Sequence, residues 1–156
     1  MATIIDGSGS ATFATPLPMA QVADLGLPAY GRVVRTAGNI TTTSTSLVDV
    51  TGATITFTTG AFPVAYGASQ SVYHSADNGE IYFNVDIDGA LQHGTSGQLE
   101  QTTLANTTYI TPLVGQSVAL SAGAHTIKEV WRVATGTGSI QAGTALNHLF
   151  YAHEIR

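Results

Sequence analysis

Between two tight-turn signals, Asp77-Asn78-Gly79 and Asp88-Gly89, the apolar residues Ile81, Phe83, Val85 and Ile87 alternate with Tyr82, Asn84, Asp86 and Asp88. Strict period-two alternation is what a strand with one buried and one wet face requires. A helix would scatter those four apolar side chains around its circumference. Asn and Gly tolerate positive φ, so both flanks read as tight turns. The segment therefore predicts a half-buried strand entered and left by turns.

The same grammar recurs along the chain. Residues 45–58 predict two short strands with a break near Thr51-Gly52; Ile55 and Phe57 face one way and Thr54, Thr56 and Thr58 the other. Further candidates are 70–75, 90–93, 107–111, 116–120, 125–133, 139–142 and 147–155, with 94–101 read as a Gly- and Gln-rich surface loop. Composition agrees. The 156 residues include 23 Thr, 17 Gly and a single Lys, and only 10% are charged. Thr and the β-branched and aromatic residues suit a pleated surface, while the Glu, Lys and Leu of ordinary surface helices are sparse. No repeat of fixed period suggests a propeller or solenoid. The expected fold is all-β: an antiparallel β-sandwich, most specifically a jelly roll of about eight strands.

Residues 1–35 differ from the rest. They hold three of the five Pro (Pro16, Pro18, Pro28) and show no sustained alternation. They read as an extended N-terminal arm ahead of a β-sandwich domain at 36–156, because Pro fixes an open backbone and removes donors. The alternative is an opening strand and loop of the same domain. Phe13, Leu17, Met19, Leu25 and Leu27 make the arm too apolar for a solvated linker, so they are expected to pack on their own domain, a neighbouring copy or a host surface.

Several function classes fall away on composition. With no Cys, thiol nucleophiles and Cys-zinc sites are excluded. A net charge of -5 argues against nucleic acid, whose phosphates need clustered cations. No apolar run approaches the length of a membrane span, and no secretory leader is expected at the start. The five His (His74, His93, His125, His148, His153) show no ligand spacing, so no metal is expected, although a His on a trimer axis would supply three ligands at once. Asp86-Ile87-Asp88-Gly89 lacks the further ligands of a calcium loop and reads as a hairpin turn. Glu80, Glu100, Glu129 and Glu154 mark no catalytic pair. Neither a serine elbow nor a phosphate loop is present. No catalytic residue and no cofactor are expected.

Glu129 stands out. It shares a predicted strand face with Ile127, Trp131 and Val133, where a carboxylate needs a partner. Arg132, Arg156 and His153 lie in the same part of the chain. Glu129, Arg132 and Trp131 are therefore candidates for an ion pair or a subunit interface. Tyr66, Tyr73, Tyr82, Tyr109, Trp131 and Tyr151 could line a carbohydrate groove, Trp131 being better suited to a core or interface.

The stretch 41–52 (TTTSTSLVDVTG), followed by Ile55-Thr56-Phe57-Thr58-Thr59-Gly60, the hairpin 85–89, the run 120–127 (LSAGAHTI) and the ending His153-Glu154-Ile155 resemble β-sandwich domains of tailed-bacteriophage virion proteins. The resemblance covers roughly 40–156. After the Lys of His125-Thr126-Ile127-Lys128 that pattern has an apolar residue, and this chain has Glu129. The resemblance implies a trimeric structural protein with no shared catalytic residues. Ahead of the β domain stands only a short arm rather than a shaft, which favours a capsid decoration protein over a tail-fibre tip. The implied partners are the major capsid protein, further copies in a homotrimer and, in the alternative reading of a receptor-binding module, a surface glycan. The implied location is the capsid surface.

Overall fold

In a computed structural model, residues 4–5, 11–12, 28–102, 104–143 and 147–156 are described. They contain strands and turns and no helix. Two short strands, β1 (Ile4–Ile5) and β2 (Ala11–Thr12), pair with each other. The remainder are β3 (Tyr30–Arg35), β4 (Ile40–Thr42), β5 (Val48–Thr59), β6 (Val64–His74), β7 (Glu80–Ile87), β8 (Ala90–Leu91), β9 (Gln98–Gln101), β10 (Tyr109–Gln116), β11 (Gly123–Val133), β12 (Gly138–Gln141) and β13 (His148–Glu154).

These eleven strands form two antiparallel sheets. In the first, β13 pairs with residues 64–69 of β6 and β12 with residues 71–74. Both lie along one edge of β6, because β10 occupies residues 65–72 of the other. β12, ending at Gln141, and β13, starting at His148, thus lie in one row. β3 and β4, which pair with β13 and β12, form the next row, interrupted at 36–39. In the second sheet β5, β11 and β7 lie side by side, and β8 and β9 share the far edge of β7. Numbered in chain order, the rows of the first sheet run 1-8-3-6 and those of the second 2-7-4-5. That is the jelly-roll order of two Greek keys.

The core follows from the alternation. Tyr66, Ala68 and Val72 of β6, Leu113 of β10 and Phe150 and Ala152 of β13 face Ile55 of β5, Ile81, Phe83, Val85 and Ile87 of β7 and Ile127, Trp131 and Val133 of β11. Each large side chain so buried contributes about 1.5–3 kcal/mol of transfer free energy. The turn at Asp88-Gly89 is a two-residue hairpin, with Ile87 opposite Ala90 and φ of 51° and 89°. Positive φ at both central residues matches the right-handed twist of the strands.

Several boundaries differ from the sequence reading. β5 is one strand, not two. At Gly52 (φ 79°) it bulges, and pairing with β11 slips from Thr54 opposite Lys128 to Asp49 opposite Val130. The ladder resumes beyond the bulge, so the break is local. The segments 107–111 and 116–120 give way to one strand at 109–116, carrying Pro112 on an edge where no donor is needed. Residues 98–101 pair with β7 rather than staying in a loop. The strand Tyr30–Arg35 belongs to the sandwich, although it lies inside the segment read as an arm. Gly31 packs so closely on Ile55 of the opposite sheet that a Cβ there would overlap it. Phe13, Leu17, Met19, Leu25 and Leu27 lie outside the described residues.

Candidate interaction surface

The two outer faces of the sandwich have opposite chemistry. Outside the β5–β11–β7 sheet stand Thr54, Thr56 and Thr58, then ions. Lys128 Nζ meets Asp49 Oδ2 at 2.8 Å, beside Asp86. The Arg132 guanidinium lies 3.7 Å over the Tyr82 ring, and the Tyr82 hydroxyl donates to Glu80 at 2.8 Å. Two exposed leucines stand among these groups, Leu91 opposite Asp86 and Leu99 opposite Tyr82, so the face is mainly but not wholly polar.

The outer face of the other sheet is nearly free of charge. Directly opposed residues of an antiparallel ladder put their side chains on the same face, so the register defines rows across the sheet. One row is Val34, Leu149, Ser69 and Pro112; the next is Arg32, Tyr151, Gly67 and Val114; the third is Tyr30, His153, Ala65 and Gln116. Among the described residues, Arg32 is the one fixed charge in these rows. At the β10 end the face is aliphatic: Ile110 is 75% exposed, Val114 63%, and Val118 just beyond it 83%. Apolar side chains this exposed, close together and on an edge strand, mark a surface suited to contact.

At the β3–β13 end the face is aromatic. A Cβ on Gly67 would lie 2.6–2.9 Å from Tyr151 Oη, Cζ and Cε1, so the phenol ring rests on the bare glycine backbone. The His153 ring, two residues on and therefore on the same face, is within 15° of parallel to it, with centroids 6.4 Å apart. Tyr30, 58% exposed, stands opposite His153.

The residues singled out from sequence divide between core and surface. Glu129 and Trp131 are inside the sandwich. Trp131 stacks on Phe83 at 6.1 Å. Glu129 Oε2 meets His148 Nε2 at 2.6 Å across the two sheets, with the side chains 0% and 1% exposed. The partner of Glu129 is therefore His148; Arg132 sits over Tyr82, and Arg156 pairs with Glu154. Of the proposed carbohydrate aromatics, Tyr66 and Trp131 are core and Tyr109 packs against it, while Tyr73, Tyr82 and Tyr151 face outward. Ile110, Val114 and Val118 were not marked by sequence. β10 is apolar on both faces, so no alternation sets its outer residues apart; that double-sided run is the signal that was there to find.

The other titratable groups fasten loops. Asp88 accepts the Thr126 amide at 2.8 Å and the His125 ring, whose other nitrogen meets the Ser121 carbonyl at 2.9 Å. The Asp88 bond, with the Ser121 carbonyl, raises the His125 pKa; the Thr126 amide, with His125, lowers that of Asp88. Burial pushes the Glu154 carboxyl up, but the Gly60 and Ala29 amides and Arg156 outweigh it and hold it below its usual value. Among the described residues no three His, Asp or Glu side chains group as a metal site.

No protein-family model and no curated protein matches the chain. Solved structures resemble it weakly. The structure of infectious bursal virus derived T=1 particles matches with TM-score 0.48 and 8% identity, over 99% of this chain and 40% of that one. Dimeric latent PorU from Porphyromonas gingivalis matches with TM-score 0.45 and 8% identity, over 81% of this chain and 13% of that one. The EclA C-terminal domain, a sugar-binding protein, matches with TM-score 0.40 and 11% identity, over 94% and 88%. The chain thus spans well under half of the first two. Matches this distant say nothing about what the chain binds.

Proposed function

We propose that this chain is a non-enzymatic structural protein of a tailed-phage virion, a capsid decoration subunit that assembles as a homotrimer on the outer shell. The observation that supports it is the contrast between the two outer faces, one carrying the ions and the other an uncharged aliphatic edge at Ile110, Val114 and Val118. A chain of net charge -5 repels its own copies wherever acids meet. Among the described residues no acid is presented at the β10 edge, so copies can approach there. The sequence resemblance to phage virion sandwiches points the same way.

Light scattering on the purified protein, followed by labelling on intact particles, tests the proposal. The expected result is a trimer that labels the whole capsid surface. The triple substitution Ile110→Ser, Val114→Ser, Val118→Ser should give a folded monomer that no longer decorates. A wild-type monomer that labels no particle would sink the virion reading. A trimer untouched by the triple substitution would move the contact to another face.

A further inference from the structure

We propose that the aromatic end of the uncharged face, formed by Tyr151, His153, Tyr30 and Arg32, binds a carboxylated pyranose such as a uronate unit of a surface polysaccharide. Three features of the same few residues converge on that ligand.

The first is a flat apolar floor. Tyr151 lies on Gly67 with no side chain beneath it, and the His153 ring stands beside it, within 15° of parallel at 6.4 Å. Gly67 holds the phenol down against the sheet, so its upper face is presented outward. The C–H face of a pyranose is the natural partner for such a ring: flat, weakly polar and similar in size. Rings held this way need little ordering when a ligand arrives.

The second is a cation that no described carboxylate neutralises. Arg32 stands directly opposite Tyr151 in the ladder, exposed, and among the described residues no carboxylate pairs with it. The other ion pairs of this sheet are spoken for: Glu154, the acid of β13, points inward and is held by Arg156 and two backbone amides. A guanidinium offers a planar fork that fits a carboxylate bidentately. A neutral sugar would leave it unused.

The third is the polar rim. Ser69 lies in the neighbouring row on the adjacent strand and carries a hydroxyl suited to ring hydroxyls. A nucleic acid could also stack a base here, but one cation on a chain of net charge -5 cannot hold a run of phosphates. The site lies two strand spacings, about 10 Å, from the aliphatic edge at Val114. It does not depend on association of the copies or on a place in a virion.

NMR titration of the full chain with trigalacturonate, its methyl ester and maltotriose is the test. Trigalacturonate should shift the ring resonances of Tyr151 and His153 and the Arg32 side chain, and bind at least tenfold more tightly than the ester or maltotriose. Arg32→Gln, a surface change that leaves the core alone, should abolish that preference. Tyr151→Phe should keep the binding, because it keeps the ring over Gly67, and Tyr151→Ala should lose it. No shift at millimolar trigalacturonate, equal binding of acid and ester, or unchanged binding by Arg32→Gln would each overturn the proposal. If Tyr151→Ala does not fold, the Arg32 variant and the ester comparison still decide it.

Discussion

Replacing Glu129 or His148 alone should damage this protein far more than replacing both. The two side chains are 0% and 1% exposed and meet at 2.6 Å between opposite sheets. Glu129 Oε1 has no hydrogen-bond partner among the described groups. Glu129→Leu leaves a buried imidazole facing hydrocarbon, and His148→Leu leaves a buried carboxyl in the same position. Removing one partner of such a pair costs about 3–5 kcal/mol, whereas replacing both with well-packed apolar groups is often neutral or stabilising. For a chain of 156 residues, each single change should lower Tm by about 6–20 °C. The double variant Glu129→Leu, His148→Leu should lie within about 1 kcal/mol of wild type. Urea unfolding of all four proteins at one protomer concentration measures the cycle, the fixed concentration removing any contribution from association. If the double variant loses the sum of the two single losses, the groups act independently and the reasoning is wrong.

Four further outcomes follow from the same geometry. His125→Gln should lower Tm clearly at pH 5.5 and little at pH 9.5, because a raised pKa stabilises fully below the unfolded value and fades as pH climbs through the folded one; an equal loss at both pH values would deny the contact with Asp88 its role. Glu154→Gln should cost about 1–3 kcal/mol at neutral pH, and the deficit should shrink as acid protonates the wild-type carboxyl, whose lowered pKa makes its contribution present above the unfolded value and lost below the folded one. Gly79→Ala should destabilise by about 1–3 kcal/mol or more, since a Cβ there overlaps the ring of fully buried His74, which is pinned by the Thr135 carbonyl and the Ala76 amide; chemical denaturation reads it. Asn84→Ala should speed hydrogen exchange at His93, whose amide donates to Asn84 Oδ1 at 2.9 Å, far more than at Gln92, whose amide also donates to the Val85 carbonyl at 2.9 Å, while leaving β11 amides protected.

Much of the sandwich was legible from residues, and the reasons are local. Ile81 to Ile87 alternates because its strand has one wet face, and Asp88-Gly89 turns because both residues take positive φ. The all-β class and the jelly-roll topology followed from many such segments. What escaped detection depended on partners distant in sequence. The row containing Tyr30–Arg35 exists because β13 pairs with it, and nothing local marks it. The break at Thr51-Gly52 looks like a strand end and is a bulge, because β11 continues past it. Glu129 was visible as a misfit, but its partner was not. His148 lies 19 residues on, and only the folding of one sheet over the other brings them together. The aromatic floor was least visible of all. It needs Gly67 beneath Tyr151, a pairing of two residues 84 positions apart (151 − 67) that only the ladder of β6 and β13 creates.

The unequal faces also bear on how assembly ends. A particle that adheres through one side and turns a hydrated, ion-bearing side outward coats a surface once. The first layer presents mainly Thr54, Asp86 and Lys128 to whatever arrives next, with Leu91 and Leu99 as scattered apolar side chains among them rather than an aliphatic edge. On the proposed reading, growth is therefore self-limiting, and the coat thickness is set by a single subunit rather than by how much protein is supplied.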